Sequence, residues 1–125
     1  MVCWHLGKID WDGPWGMRAC RNLDFRRLVD DTISSWETMT WAELYQASGG
    51  RRRGNNHHPI LVSKLSSTAK KRLKHIEEDD IETIVSLRIN SRERLYGIRA
   101  GQVFQVLWYD PWHDNRNKAV YPTGR

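Results

Sequence analysis

Cysteine is scarce in this chain, and long apolar runs are absent. Cys3 and Cys20 are the only cysteines, unlike the dense pairs of a disulfide-stabilised secreted scaffold, so we expect reduced thiols rather than a pair of metal ligands. No run of about 18 apolar residues occurs, and the amino terminus lacks the apolar core of a secretory signal. The sequence therefore argues against a membrane-spanning or secreted protein and predicts a cytoplasmic one.

Repeats and long low-complexity linkers are also missing, whereas tryptophan and positive charge are abundant. The 125 residues, 39% of them hydrophobic, predict a single domain over residues 1–125. Seven tryptophans can fill a core or offer flat surfaces for stacking. The 20 Lys and Arg residues outnumber the 15 Asp and Glu residues and give a net charge of +5, which favours a polyanionic partner.

Three extended segments follow one another over residues 84–113, and the rest of the fold is organised around them. Val85, Leu87 and Ile89 alternate with polar residues, as in a strand that buries one face. A second strand leads through a glycine-bearing turn into a third strand, which is almost continuously apolar over residues 103–109. These patterns predict an antiparallel meander.

The amino-terminal part adds a strand and two helices. Apolar residues alternate over residues 1–9, which predicts a strand at the edge of the meander's sheet. Helical spacing of apolar residues runs from Asn22, which can cap the helix, to Trp36. Thr40 and Glu43 form a capping box, which sets the start of the second helix.

A polar stretch and a basic helix lie between the second helix and the meander. Residues 51–59 are polar and without periodicity, which predicts an exposed loop. A short apolar strand follows at residues 60–62, and Ser66 can cap a third helix. The outer face of that helix carries the cations Lys64, Lys70, Lys71, Arg72 and Lys74. The predicted fold class is α+β, with a small antiparallel sheet (a C-terminal three-stranded meander plus an N-terminal strand) packed against two to three helices.

This order of elements, with an arginine-rich meander at the end, resembles the RelE/YoeB-like mRNA interferase toxins. The specific likeness lies in SLRIN at residues 86–90, RERLY at residues 92–96, the hairpin that follows and the closing His113. The resemblance implies a RelE-like toxin of a bacterial toxin–antitoxin system, which cleaves mRNA with or without the ribosome and binds a cognate antitoxin. It also implies that Arg94 stabilises charge on the scissile phosphate and that His113 transfers protons. The chain lacks a clear equivalent of the carboxylate that some members use as base.

Histidine and arginine are the residue types that such a cleavage needs. Attack by the RNA's own 2′-hydroxyl requires a base, an acid and cations around the phosphorane. His113 or His58 can serve as base or acid, and Arg94 and Arg88 can clamp the phosphate through paired donors. No metal or other cofactor is then required. The structural alternatives are a salt bridge of Arg94 with a strand neighbour near Glu93 or with Asp110, and a capped strand end at His113.

Surface cations and a tryptophan are expected to hold the RNA, because clustered positive charge releases counterions from phosphates and an aromatic ring can stack on a base. The predicted RNA-binding residues are Arg51, Arg52, Arg53, Lys70, Lys71, Lys74 and Trp112. A solvated loop and a solvated helix face without a ligand are the plain alternatives.

Two other classes of function stay open at this point. A metal nuclease could use His57, His58, Asp110 and His113, whose types suit a metal but whose spacing fits no compact site pattern. A non-catalytic module would use the basic helix and the tryptophans to bind nucleic acid or an acidic protein. Cleavage of RNA separates the enzyme from the module.

Overall fold

The computed structural model describes residues 1–17, 26–46 and 57–122. The strands in these ranges are β1 (Cys3–His5), β2 (His57–Leu61), β3 (Thr83–Arg88), β4 (Arg94–Ala100) and β5 (Val103–Asp110). A π-helical segment, Leu28–Ile33, runs into α1 (Ser34–Trp36), α2 is Trp41–Gln46, and a 3₁₀ turn, Val62–Lys64, precedes α3 (Ser67–His75). Within these ranges, every helix is too short or too polar to cross a membrane.

The strands form one mixed sheet in the order β1-β5-β4-β3-β2. The predicted meander is confirmed as β3, β4 and β5, each antiparallel to the next, and β2 adds an antiparallel strand beside β3. The amino-terminal strand lies at the sheet edge as predicted, but it pairs parallel with β5, so that Cys3 lies opposite Val103. The predicted α+β class is confirmed.

A β-bulge between β4 and β5 shifts the register at Gly97. A Cβ atom at Gly97 would lie 2.5 Å from the carbonyl oxygen of Gln105 and 2.5 Å from a ring carbon of Phe104, so a larger residue cannot fit there without moving backbone. Because of the bulge, the consecutive residues Leu107 and Trp108 both join the same apolar cluster, which strict alternation would not allow.

The sheet separates two apolar clusters. On one face, here called the α1–α2 face, Trp36, Trp41 and Leu44 of the first two helices pack against the sheet residues Val85, Leu87, Leu95, Phe104 and Val106. On the other, the α3 face, Ala69 and Leu73 of α3 pack against Ile60, Ile84, Tyr96, Leu107 and Trp108. Both faces of the sheet are therefore covered, which agrees with the almost continuously apolar sequence of β5.

Two of the three predicted helix caps are confirmed. The backbone N–H of Thr40 donates to Glu43 Oε1 at 2.9 Å, and the backbone N–H of Glu43 donates to Thr40 Oγ1 at 3.1 Å, as in a capping box. Ser66 Oγ accepts a hydrogen bond from the backbone N–H of Ala69 at 3.1 Å. The predicted cap at Asn22 lies outside the described residues.

The prediction of an exposed loop over residues 51–59 is wrong for its last part. His57 and His58 open β2, and His57 is only 6% exposed. The composition is typical of a loop, but the β3 ladder and the packing of the His57 ring against Trp36, at 5.3 Å between centroids, make this stretch a strand. The predicted strand at residues 60–62 likewise begins earlier and ends at Leu61. Arg51, Arg52 and Arg53 lie outside the described residues, as does Cys20.

Asp10 links the amino-terminal segment to both α3 and β5. Arg72 Nε donates to Asp10 Oδ2 at 2.8 Å, Arg72 Nη2 donates to Asp10 Oδ1 at 2.7 Å, and Trp108 Nε1 donates to Asp10 Oδ2 at 2.9 Å. The placement of Arg72 among the outward cations of α3 is therefore wrong, because its guanidinium turns inward to a carboxylate 62 residues away in sequence.

Candidate functional site

The sheet brings polar and charged side chains together where β3 ends and β4 begins. Arg88 lies opposite Arg94 in one ladder, and Arg94 lies opposite Asp110 in the next. His58 lies opposite Ser86, which is two residues before Arg88. Because cross-strand partners and residues two apart share a face, these side chains all lie on the α3 face of the sheet.

The turn between β3 and β4 is built by Asn90. Its side-chain oxygen accepts hydrogen bonds from the backbone N–H of Arg92 at 2.9 Å and of Glu93 at 2.8 Å, which is the local bonding that makes asparagine a turn former. The Asn90 amide nitrogen donates to the Glu93 carboxylate. The local sequence thus fixes the start of β4, and with it the backbone position of Arg94.

Arg94 is a buried cation, 8% exposed, whose hydrogen bonds go to backbone oxygens. Its Nη1 donates to the carbonyl oxygens of Asn90 at 2.6 Å and of Glu93 at 3.0 Å. Burial lowers the pKa of Arg94, and the charge of Arg88 lowers it further. Within residues 1–17, 26–46 and 57–122, no carboxylate lies within ion-pair distance of its guanidinium.

Asp110 lies beside Arg94 in the sheet but binds backbone amides instead. It is completely buried, and its two oxygens accept hydrogen bonds from the N–H groups of Trp112 at 2.7 Å and Val120 at 2.9 Å. Burial raises the pKa of Asp110, and these amide bonds offset part of that rise. The salt bridge considered for Arg94 therefore does not form with Asp110, whose role is to fold the segment after β5 back onto the strand.

That segment carries His113 to the same end of the sheet. The backbone N–H of His113 donates to the carbonyl oxygen of Arg92 at 3.0 Å, which docks it on the β3–β4 turn. Burial lowers the pKa of His113 to about 4, and the neighbouring charges of Arg94, His58 and Arg88 also lower it. The four predicted catalytic residues Arg88, Arg94, His58 and His113 thus lie together, and they are called the basic cluster below.

His57 is adjacent in sequence to His58 but lies on the opposite face of the sheet. It pairs with Leu87, packs edge-on against Trp36, and accepts a hydrogen bond at Nδ1 from the backbone N–H of Arg88 at 3.0 Å. Burial lowers the pKa of His57 to about 4, with further lowering by the charges of Arg94 and the other cationic neighbours. These contacts give His57 a structural role.

Two hydroxyl groups beside the basic cluster were missed by sequence reasoning. Ser86 Oγ, Tyr96 OH and the Nδ1 atom of His113 are buried; the two hydroxyl groups lie close enough to interact with each other, and no other hydrogen-bond partner for the three atoms occurs among the described residues. Burial and the charge of Asp110 raise the pKa of Tyr96 well above its ordinary value, while the nearby Ser86 hydroxyl acts in the opposite direction. A signal existed, because Ser86 and Tyr96 each stand two residues from a predicted catalytic arginine on the same strand face.

Unpartnered buried polar groups carry a free-energy cost of about 1–3 kcal/mol each unless a ligand or water supplies a bond. Here Ser86 and Tyr96 share a sheet face with Arg94, whose charge is desolvated by burial, so hydrogen-bonding groups and positive charge occur together. A polar anion bound there would satisfy both needs at once.

The predicted RNA-binding lysines lie apart from the basic cluster. Lys70, Lys71 and Lys74 are exposed on α3, and Lys70 Nζ reaches the backbone oxygen of Ser63 at 3.4 Å. Since α3 covers the same sheet face that carries the cluster, the lysines form a positive surface on that side of the molecule. The predicted contacts of Arg51, Arg52 and Arg53 lie outside the described residues.

Trp112, the last predicted RNA-binding residue, is half-buried and directly precedes His113. The Lys118 ammonium lies 5.5 Å from the centroid of its ring. One aromatic ring and one cation therefore lie together at the residue that precedes His113 in the chain.

No group of three or more His, Cys, Asp or Glu side chains that could hold a metal ion occurs within the described part of the chain. Comparison of the sequence with protein-family models, with curated proteins and with solved structures gives no significant match. Function is therefore inferred from the geometry of the basic cluster.

Proposed function

We propose that the protein is a metal-independent endoribonuclease, with Arg94, His113, His58 and Arg88 as its catalytic residues. The observation that carries this proposal is the basic cluster, in which two arginines and two histidines meet on one sheet face. Arg94 is buried there without a carboxylate partner among the described residues. The charge of Asp110, which lies opposite Arg94 in the sheet, offsets the cost of burying this cation only in part, and a bound phosphate would bring a negative charge into direct contact with it.

The histidines suit the two proton transfers of RNA cleavage. His113, with its pKa lowered to about 4, is neutral near pH 7 and can accept the proton of the 2′-hydroxyl. The 2′-oxygen bonds to phosphorus, the bond from phosphorus to the 5′-oxygen breaks, and His58 gives a proton to that leaving oxygen. The products are a 2′,3′-cyclic phosphate and a 5′-hydroxyl, and solvent restores both histidines.

The arginines and the hydroxyl groups would act on the phosphorane between these transfers. Arg88 and Arg94 present paired N–H donors to its oxygens, where negative charge is greatest. Because burial raises the pKa of Tyr96, its hydroxyl stays protonated near neutral pH and can donate a further hydrogen bond, as can Ser86.

The substrate and partner follow from the resemblance of the meander to RelE/YoeB-like toxins. The cluster contains both residues, Arg94 and His113, to which that resemblance gives catalytic roles. We therefore extend the proposal to mRNA as the substrate, with or without the ribosome, and to a cognate antitoxin as the protein partner.

Induced expression in bacteria tests this function. The wild-type chain should arrest growth and generate new RNA ends with 5′-hydroxyl groups, and the purified protein should cleave RNA in the presence of EDTA. The Arg94→Ala chain, expressed to the same level, should do neither. Normal growth and intact transcripts with soluble wild-type protein present would contradict the proposal.

A non-catalytic RNA-binding module is the second candidate. The exposed lysines of α3 favour it, because they could bind phosphates without any contribution from the basic cluster. Salt-dependent RNA binding by the wild-type protein, without cleavage under any condition tried, would select this candidate.

A further inference from the structure

A pocket of about 320 Å³ lies between Trp112 and the start of α3. Its lining includes Trp15, Ser66, Thr68, Trp112, Asn117 and Lys118. The volume falls at the lower end of the ~300–1,000 Å³ range typical of small-molecule sites, so it can hold one small planar group and not an extended ligand.

The pocket is adjacent to the basic cluster through the backbone. Trp112 lines the pocket and His113 belongs to the cluster, and the Cα atoms of consecutive residues are about 3.8 Å apart. The hydrogen bond from the Trp112 N–H to the buried Asp110 holds both residues in place. A ligand that reaches from the pocket to the basic cluster would carry an anionic group and a second group that fits the pocket.

The pocket offers stacking, hydrogen bonding and positive charge together. Trp112 presents an aromatic ring, with Lys118 Nζ at 5.5 Å from its centroid. Ser66, Thr68 and Asn117 add hydroxyl and amide groups that can both donate and accept. Trp15 forms a rigid wall, because its Nε1 donates to the carbonyl oxygen of Lys118 at 2.8 Å.

We infer that this pocket binds a base of the RNA substrate, stacked on Trp112, while the phosphate next to that base lies in the basic cluster. The inference rests on the proposed function and adds a subsite to it. A nucleotide has the required combination, since its base is flat with a polar edge and its phosphate is anionic. The hydroxyl and amide groups at the pocket then discriminate among bases, so cleavage has a preferred base at this position.

Steady-state cleavage of short RNAs by four variants tests the subsite. Trp112→Ala should raise KM about tenfold or more, because base–aromatic stacking is lost, with a smaller change in kcat. Trp112→Phe keeps a ring and should restore most of the affinity. Asn117→Ala should change the base preference at the mapped cleavage sites. Trp11→Ala, which removes a 44% exposed tryptophan that does not line this pocket, is the matched control and should leave KM unchanged.

A binding experiment separates failure of the base pocket from failure of the proposed catalysis. The wild type and Trp112→Ala are titrated with the four nucleoside 3′-monophosphates, and binding is followed by NMR at the indole N–H signals. Cleavage by the wild type with unchanged KM and base preference in Trp112→Ala and Asn117→Ala overturns the subsite and leaves the proposed function standing. Absence of cleavage with saturable nucleotide binding that Trp112→Ala abolishes supports the base pocket and overturns the catalysis. Absence of both overturns both. If Trp112→Ala does not fold, Trp112→Phe and Asn117→Ala carry the same comparison.

Discussion

Two arginine-centred groups lie on the α3 face of the sheet, and they differ in what neutralises the cation. Arg72 of α3 donates to both oxygens of Asp10, at 2.8 and 2.7 Å, and the same carboxylate accepts a bond from Trp108. Arg94 in the basic cluster donates to backbone oxygens and has no carboxylate within ion-pair distance in the described ranges.

The difference points to a structural role for the first group and supports the proposed ligand-binding role of the second. Burial alone would raise the pKa of Asp10, but hydrogen bonds from Arg72 and Trp108, together with the charge of Arg72, lower it overall. The Asp10–Arg72 pair is thus internally complete and links the amino-terminal segment, α3 and β5. Arg94 shows the opposite, a lowered pKa with burial as its main cause, which the nearby charge of Asp110 offsets only in part.

The largest expected effect comes from breaking the complete pair. Asp10→Ala leaves Arg72 and the Trp108 indole N–H without their acceptor, and it should lower the free energy of unfolding by about 3–5 kcal/mol. Asp10→Asn keeps an acceptor for Trp108 but loses the charge, so it should cost less. Urea denaturation measures the free energy of unfolding of both variants. The kcat of the folded fraction should be unchanged, and a loss of kcat as large as that of Arg94→Ala would show that Asp10 is not only structural.

The pH dependence of stability tests the burial of histidine on both faces. His57 has a folded pKa of about 4 and an unfolded value near 6.5. Between these values the unfolded chain binds more protons, so stability should be full above pH ~6.5 and should fall as the pH drops towards ~4, by about 3 kcal/mol for this residue. His113 should add to the slope in the same direction.

Urea denaturation at several pH values measures this slope, and His57→Gln should reduce it by about one proton equivalent because glutamine does not titrate. Adding inorganic phosphate tests the difference between the two arginine groups. An anion bound in the basic cluster should raise the pKa of His113, whereas it should not stabilise the Asp10–Arg72 pair. An unchanged pH slope in His57→Gln would contradict the burial of a neutral ring at this position.

Local sequence predicted those parts of the fold that local bonding determines. The capping box at Thr40 and the Ser66 cap each depend on residues within a few positions, and both have the bonds expected of them. The meander was predictable for the same reason, because alternation and short turns fix the register of neighbouring strands.

Non-local bonding set the parts that sequence could not predict. The partner of Arg72 lies 62 residues away, so nothing near Arg72 distinguishes it from the solvated lysines beside it. His57 and His58 have a loop-like composition, and only the ladder with β3 places them in a strand and on opposite faces. Within the site, the four residues of the basic cluster were predicted together, whereas the two-residue spacing of Ser86 and Tyr96 from the arginines places them on the same face but does not show that they are buried.

Replacing Arg94 should have the opposite effects to Asp10→Ala, with a large loss of kcat and a smaller loss of stability. Arg94→Ala should lower kcat by about 100-fold or more, because the arginine acts where charge develops on the phosphorane, while the free energy of unfolding should fall less than in Asp10→Ala, since the cost of burying the cation is removed together with its two bonds to backbone oxygens. Arg94→Lys keeps the charge but loses the paired donors, and should recover only part of the rate. His113→Gln should lose a factor similar to Arg94→Ala, since glutamine cannot exchange a proton near neutral pH.

Single-turnover cleavage measures the catalytic rate and thermal melting measures the stability, both on the same preparations. The contrast between the two arginine groups would fail if Arg94→Ala and His113→Gln stayed folded and kept full cleavage. In that case the catalytic residues must be sought outside the basic cluster.

The smallest expected effects belong to the lysines of α3, which lie apart from both groups. Lys71→Ala should weaken RNA binding only a few-fold at low salt, and it should reduce the slope of log affinity against log salt concentration by about one, since one phosphate contact is lost. Arg26→Ala removes an exposed cation beside the π-helical segment and is the matched control, for which the slope should not change. Filter binding between about 50 and 200 mM salt measures both slopes. The result would contradict this prediction if the salt-dependence slope were the same in the wild type, Lys71→Ala, Lys70→Ala and Lys74→Ala. In that case RNA does not contact the lysines of α3 and binds at the basic cluster alone.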